Sequence, residues 1–256
     1  MRRPFRPPLV LTYHALGEVA PEHDPENLVH PPEKFRAEMK RLKKRGYEFV
    51  TAAEFGRRLR SSVALGGVCA VTFDDGSLDN ATLLPDLLRE LEIPATVFAC
   101  PGLLGQPHPW IAAEAGVRLM DEDELRIVSD LGYIEIGSHT WDHADLEVAD
   151  EPEIARQLKT SKEALEEILL KPVLTLAYPF CRYSPACPDA AERAGYLCAF
   201  TCSGRGSWQP YELRREMMDR DHSRLAWALK SRGLFDRVAG SPPARLARAA
   251  RSVARA

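Results

Sequence analysis

The amino-acid sequence predicts an α/β fold made of βα units around a mainly parallel sheet. Three observations carry that reading. Short apolar runs alternate with longer segments of helical period, prolines stand between helix ends and the strands that follow, and neither an internal repeat nor an interdomain linker interrupts the alternation. The 256 residues suit one domain with a well-buried core, expected over 1–236, followed by a basic Ala/Arg-rich tail at 237–256.

In chain order, the apolar run at 9–13 is the first expected strand. A helix at 32–45 repeats apolar positions at Phe35, Met39 and Leu42. Thr51 opens the next helix with Glu54 three residues on, the spacing of a capping box. Strands at 69–73, 95–99, 134–137, 174–178 and 197–201 follow, with helices at 83–91 and 153–170 between them. Pro94 and Pro172 each stop a helix and start a strand.

Charge and cysteine usage exclude several classes. With 34 basic and 37 acidic residues the balance does not point to nucleic acid. The tail holds five arginines and no acid, and is read as a solvated end or, failing that, a short basic helix making weak peripheral contact with an anionic membrane. Six cysteines form no CxxC pair and no regular framework, so most are expected as reduced core residues. The apolar run after the N-terminal arginines is too short for a signal peptide and no stretch is long enough to span a membrane, from which a cytoplasmic location is expected.

Chemistry concentrates where strands end. Asp74 and Asp75 follow the strand ending at Phe73, His139 follows the one ending at Gly137, Pro179 the one ending at Tyr178, and His14 follows Tyr13. In a barrel of parallel strands these positions open onto one C-terminal rim. Consecutive residues at a strand end point in different directions, so one of the two aspartates can bind a metal while the other stays free as a base. His139 and His143 stand four apart, a spacing that places both imidazoles on one side of a helical turn, and with Asp75 they make a two-histidine, one-carboxylate set.

Val71-Thr72-Phe73-Asp74-Asp75-Gly76, the segment from Gly137 to Leu146 with its two histidines, and Ala177-Tyr178-Pro179-Phe180 resemble, in order and spacing, the first three motifs of the polysaccharide deacetylases, carbohydrate esterases with a NodB-like domain. The resemblance runs across roughly residues 9–230. It implies a distorted (β/α) barrel of about seven strands and metal-dependent removal of N- or O-acetyl groups from a saccharide, as in exopolysaccharide or cell-surface glycan assembly. Asp74 would be the general base and Asp75, His139 and His143 the ligands of a divalent ion, zinc first, with cobalt, nickel or iron suiting the same donors. The backbone N–H of Phe180 would receive the oxyanion.

Other positions follow the family less closely. The opening Leu9-Val10-Leu11-Thr12-Tyr13-His14 resembles a permuted subgroup in which the strand carrying the catalytic histidine stands first, so His14 is expected as the general acid; the alternative is a core histidine bonded to a carbonyl. Ala177 replaces the arginine that usually opens the third motif, and Arg215, with Arg214 as rival, is expected to restrain Asp74 instead. Cys181 stands in place of a glycine. Tyr178, Pro179, Trp110 and Trp141 are the expected saccharide contacts, with Trp208 also placed near the rim. A small-amide hydrolase and a degenerate carbohydrate-binding protein are the competing readings.

Overall fold

Alternation along the first strand sets the architecture. Leu9, Leu11 and Tyr13 belong to one hydrophobic cluster with Phe35, Met39 and Leu42 of a helix, whereas Val10 belongs to a second with Phe98 and Phe200. A strand whose two faces are both apolar is covered on both sides, here by helices outside and by other strands inside. The computed structural model of the chain describes residues 6–202 and 206–234. The tail expected at 237–256 lies outside the described residues.

In chain order the elements are β1 (Leu9–Tyr13), β2 (Ala15–Leu16), β3 (Val29–His30), α1 (Pro32–Lys44), β4 (Glu48–Val50), α2 (Ala52–Arg60), β5 (Val68–Phe73), α3 (Asp79–Thr82), α4 (Leu84–Leu91), β6 (Ala95–Ala99), α5 (Glu122–Asp130), β7 (Ile134–Ser138), α6 (Glu151–Leu169), β8 (Thr175–Ala177), α7 (Cys187–Arg193), β9 (Cys198–Cys202), β10 (Leu213–Met217) and α8 (Arg224–Lys230). Seven parallel strands close into a barrel in the order β5-β6-β7-β8-β9-β10-β1, with β1 returning to β5. The distortion sits between β5 and β6. They pair only at Thr72–Thr96 and Phe73–Val97, while β4 takes the lower part of that edge, from Val68 to Ala70. No helix among the described residues is long and apolar enough to cross a membrane.

The lower end of the barrel is plugged. Ala52 and Phe55 of α2 join the lumen cluster, and Glu135 of β7 accepts from the backbone of Ala53 at 2.9 Å and from the hydroxyls of Thr175 and Thr96 at 2.7 and 3.2 Å. Gly137, the next inward residue on β7, has no room for a side chain, since a Cβ would lie 2.5 Å from the Phe98 ring. Only the C-terminal rim stays open.

Several expectations shift. Strand β10 is missing from the expected set because Leu-Arg-Arg-Glu-Met reads as a charged segment; its inward side chains are Leu213 and Arg215, both buried, and Met217 at the cavity. The Thr51 hydroxyl accepts from the Glu54 amide at 3.3 Å, yet the Glu54 carboxylate turns to Arg58 at 2.8 Å, so half of the capping box forms there. A complete capping box stands instead at Asp121 and Glu124, opening α5. Cys69, Cys100, Cys187 and Cys198 are buried thiols, as expected, but Cys181 and Cys202 are joined by a disulfide. Spacing along the chain carries no sign of that pairing, which arises because the turn after β8 folds over the end of β9.

Candidate active site

Parity brings the polar groups together. On β1, β5 and β7 the inward positions run Val10-Thr12-His14, Ala70-Thr72-Asp74 and Glu135-Gly137-His139, so the last member of each series emerges at the rim facing the axis. His14, Asp74, Asp75, His139 and His143 line a cavity of about 380 Å³, with Glu26, Leu28, Trp110, Phe180, Cys181, Arg182 and Met217.

Asp75, His139 and His143 are, among the described residues, the one cluster of three such side chains whose donor atoms all lie within 4.8 Å of one another. Asp75 Oδ1 is 3.6 Å from His139 Nε2 and 3.5 Å from His143 Nε2. His139 Nδ1 lies 2.8 Å from the Ala177 carbonyl, which makes Nδ1 the protonated nitrogen and leaves the Nε2 lone pair facing Asp75. Asp75 Oδ1 is buried with no hydrogen-bond partner, a costly position for a carboxylate oxygen unless a cation faces it. Burial pushes the Asp75 carboxyl well up, and the neighbouring Asp74 charge adds to it. Burial also lowers His139 to about 4, and burial followed by the His139 charge lowers His143 to about 2. Two imidazoles kept neutral beside a carboxylate that would rather not be an uncompensated anion fit a divalent ion as donor set and as charge balance.

The pair of histidines meets by a route different from the one expected. Residues 139–143 form a loop rather than a helical turn, with Thr140 at φ 68° and His143 at φ 64°. Asp75, Phe180 and Cys181 are also left-handed, at φ 71°, 53° and 56°. A non-glycine residue in that region costs about 1–2 kcal/mol. Such residues gather here because donor groups must be aimed at one point from three loops.

Asp74 is held from below. Arg215, buried within the barrel, donates through Nη1 to Asp74 Oδ1 at 2.6 Å and through Nη2 to Oδ2 at 2.8 Å, with Nη1 also 3.2 Å from Thr72 Oγ1. Burial alone would push the Asp74 carboxyl up; the Arg215 guanidinium, with help from His139, outweighs it and holds the group well below the usual carboxylate range. Arg214, the rival position, points the other way and lies over the Trp208 ring at 5.0 Å. His14 is half-buried on the cavity wall, and burial lowers its pKa. His222 bonds Glu38 at 2.7 Å and stacks on His30, away from the cavity lining.

Of the expected saccharide contacts, Trp110 lies in the cavity, its ring centroid 4.0 Å from that of His143. Three others do not. Tyr178 points outward by strand parity, stacks on Tyr183 and donates its hydroxyl to the Tyr211 carbonyl at 3.0 Å. Pro179 is buried as the first residue of a 3-10 turn and serves to shape it. Trp141 packs on the backbone of Gly102, and its backbone amide donates to Gln157 Oε1 at 2.9 Å. Trp208, also placed near the rim, packs against Phe55 of the plug instead. Phe180, half-exposed at the cavity mouth, has its ring 4.5 Å from His143 and offers an aromatic face that only its backbone role had suggested. Sequence reasoning passed over His108, whose buried Nε2 is 3.6 Å from Asp75 Oδ2.

The model of the family described as polysaccharide deacetylase matches residues 64–199. The Bacillus subtilis protein YxkH, described as a polysaccharide deacetylase, is 26% identical over 193 residues, 75% of this chain and 63% of its own length. Among solved structures, the Streptococcus pyogenes deacetylase PplD superposes with a TM-score of 0.74 at 23% identity, over 90% of this chain and 99% of that one. BC0361, a polysaccharide deacetylase from Bacillus cereus, superposes at 0.70 and 25% identity, over 87% of this chain and 68% of that one. A closed seven-stranded parallel barrel, the Asp-Asp and paired-histidine motifs at its open rim, and a family match over more than half of its length together place this chain in the polysaccharide deacetylase family.

Proposed function

We propose that the protein is a metal-dependent deacetylase that hydrolyses the acetamido groups of an N-acetylated saccharide. The observation that carries the reading is the meeting of Asp75, His139 and His143 beside an arginine-clamped Asp74 at the base of a cavity wide enough for a sugar ring. Asp75 Oδ1 and the two Nε2 atoms would hold a divalent ion, which when bound supplies Lewis acidity toward the acetyl carbonyl and lowers the pKa of a water.

The chain's own groups account for the rest. Asp74, kept ionised and immobile by Arg215, takes the proton from the attacking water. The Phe180 N–H receives the developing negative charge on the carbonyl oxygen. His14, which lines the same cavity, gives a proton to the departing amine. Trp110 and Phe180, edge to face at 6.3 Å, provide apolar faces at the mouth for a sugar ring. An aromatic side chain standing half-exposed at the entrance suits a saccharide better than a small amide, which would be enclosed.

The test is acetate release from N-acetylglucosamine oligomers by purified protein. Release is expected with wild type, with loss in Asp74→Asn, loss on chelation and return on adding zinc or cobalt. Acetate released at the same rate after exhaustive chelation, or undiminished in Asp74→Asn, would overturn the reading.

A further inference from the structure

We infer that His108 is a positioning residue for Asp75: its Nε2–H holds Asp75 Oδ2, so that Oδ1 alone is presented to the two imidazoles. This rests on the metal reading above and assigns a residue outside the three ligands. His108 lies in the loop between β6 and α5, and the loop is pinned on both sides of it. Pro107 bridges Arg118, and the His108 amide donates to the Val117 carbonyl at 3.0 Å. The side chain is fully buried.

The tautomer follows from the neighbours. The backbone N–H of Trp110 points at His108 Nδ1 at 3.4 Å, so Nδ1 is the acceptor and the ring proton resides on Nε2. Nε2 has no hydrogen-bond partner among the described residues, and Asp75 Oδ2 stands 3.6 Å in front of it. The other oxygen of the same carboxylate faces His139 and His143. One carboxylate is thus addressed from two sides, by a donor on Oδ2 and by a ligand pair on Oδ1, and it is set for one-oxygen coordination. Turning Asp75 to offer both oxygens to an ion would strip Nε2–H of the acceptor before it. The same loop also lays Trp110 over His143, so a single segment braces two of the three ligands.

Groups that orient a metal ligand from behind contribute about 10–100-fold in metal affinity. The test compares zinc affinity, by competition with a chromophoric chelator, across wild type, His108→Leu, His108→Asn and His108→Gln, with thermal unfolding of each zinc-free protein alongside. A glutamine amide reaches the place of Nε2, whereas an asparagine amide falls at the place of Nδ1. Expected are a 10–100-fold weaker zinc Kd in the Leu and Asn variants, a Kd near wild type in the Gln variant, and a changed visible spectrum for the cobalt-loaded Leu protein. Should the Leu variant fail to fold, the Asn and Gln pair carries the comparison. Folded Leu or Asn variants that bind zinc as wild type does, or a Gln variant as weak as Asn, would overturn the inference while leaving the metal reading intact. A wild-type protein that takes up no zinc would overturn both.

Discussion

At the scale of single residues, the pairing of Arg215 with Asp74 has the largest consequence. A buried guanidinium bonded to both oxygens of a buried carboxylate compensates two desolvated charges at once, so removing one strands the other. Arg215→Met is expected to lower unfolding stability by about 3–5 kcal/mol and kcat by about 10²-fold. The pH profile separates a role in orientation from a structural one. Without the guanidinium, burial pushes Asp74 up, its charged form is lost at higher pH, and the acidic limb of kcat/KM moves upward. Arg214→Met, whose side chain lies over Trp208 outside the lumen, should leave that limb in place. An acidic limb unmoved in Arg215→Met would mean that the clamp does not set the protonation of Asp74.

Among the elements, the turn after β8 carries the most backbone cost, with two consecutive left-handed residues, Phe180 and Cys181. Two links hold it onto β9, the Cys181–Cys202 disulfide and the Thr201 hydroxyl donating to the Cys181 carbonyl at 2.9 Å. Glycine adopts that conformation almost freely; cysteine resists it and is tied down instead. The bridge spans 21 positions and constrains the unfolded chain by about 3 kcal/mol. Reduction with dithiothreitol, or Cys202→Ser, should therefore lower Tm by several degrees and reduce kcat before secondary structure is lost, as followed by acetate release and far-UV circular dichroism. A double variant with Cys181→Gly and Cys202→Ser should regain kcat and lose its sensitivity to dithiothreitol, because glycine adopts the turn unaided. A reduced wild type with full kcat would show that the turn is held without the bridge.

Across the whole molecule, barrel closure depends on bringing the first strand back between β5 and β10, and a polar cluster secures that seam from outside. Glu38 of α1 accepts from the Tyr13 hydroxyl at 2.8 Å and meets His222 Nε2 at 2.7 Å and His30 Nε2 at 3.3 Å, while Lys34 on the same helix donates to the carbonyls of Arg220 and His222. Burial alone would raise Glu38; bonds from His222 and His30 outweigh it and lower it from 4.5 to about 2. A carboxyl depressed in the folded state adds stability above its unfolded pKa, and that contribution disappears as pH falls through its folded pKa. His30, lowered from 6.5 by burial, acts in the same direction, since the unfolded chain takes its proton first. Stability should therefore decline from about pH 6.5 downward, with about 2–3 kcal/mol of it lost between pH 4.5 and 2 on account of Glu38. Glu38→Gln should flatten the lower part of that profile in urea titrations. An unchanged slope between pH 4.5 and 2 would remove Glu38 from the account.

What could be read from the chain were features with a local period or an unbroken motif. Six of the seven barrel strands, the face of α1, and the placement of Asp74, Asp75, His139 and His14 after strand ends all follow from alternation along a few consecutive residues. The same rule, applied to 213–217, would have distinguished inward Arg215 from outward Arg214, but that strand is written in charged residues and did not read as one. Tertiary structure alone decided the rest. His108 reaches Asp75 because a loop is pinned across the rim, Cys181 finds Cys202 because two adjacent strands end together, and Tyr178, Trp141 and Trp208 leave the cavity because each has a partner elsewhere in the fold. Periodicity is a property of neighbours in sequence and survives in the bare chain, whereas these contacts join residues that only closure of the barrel makes neighbours in space.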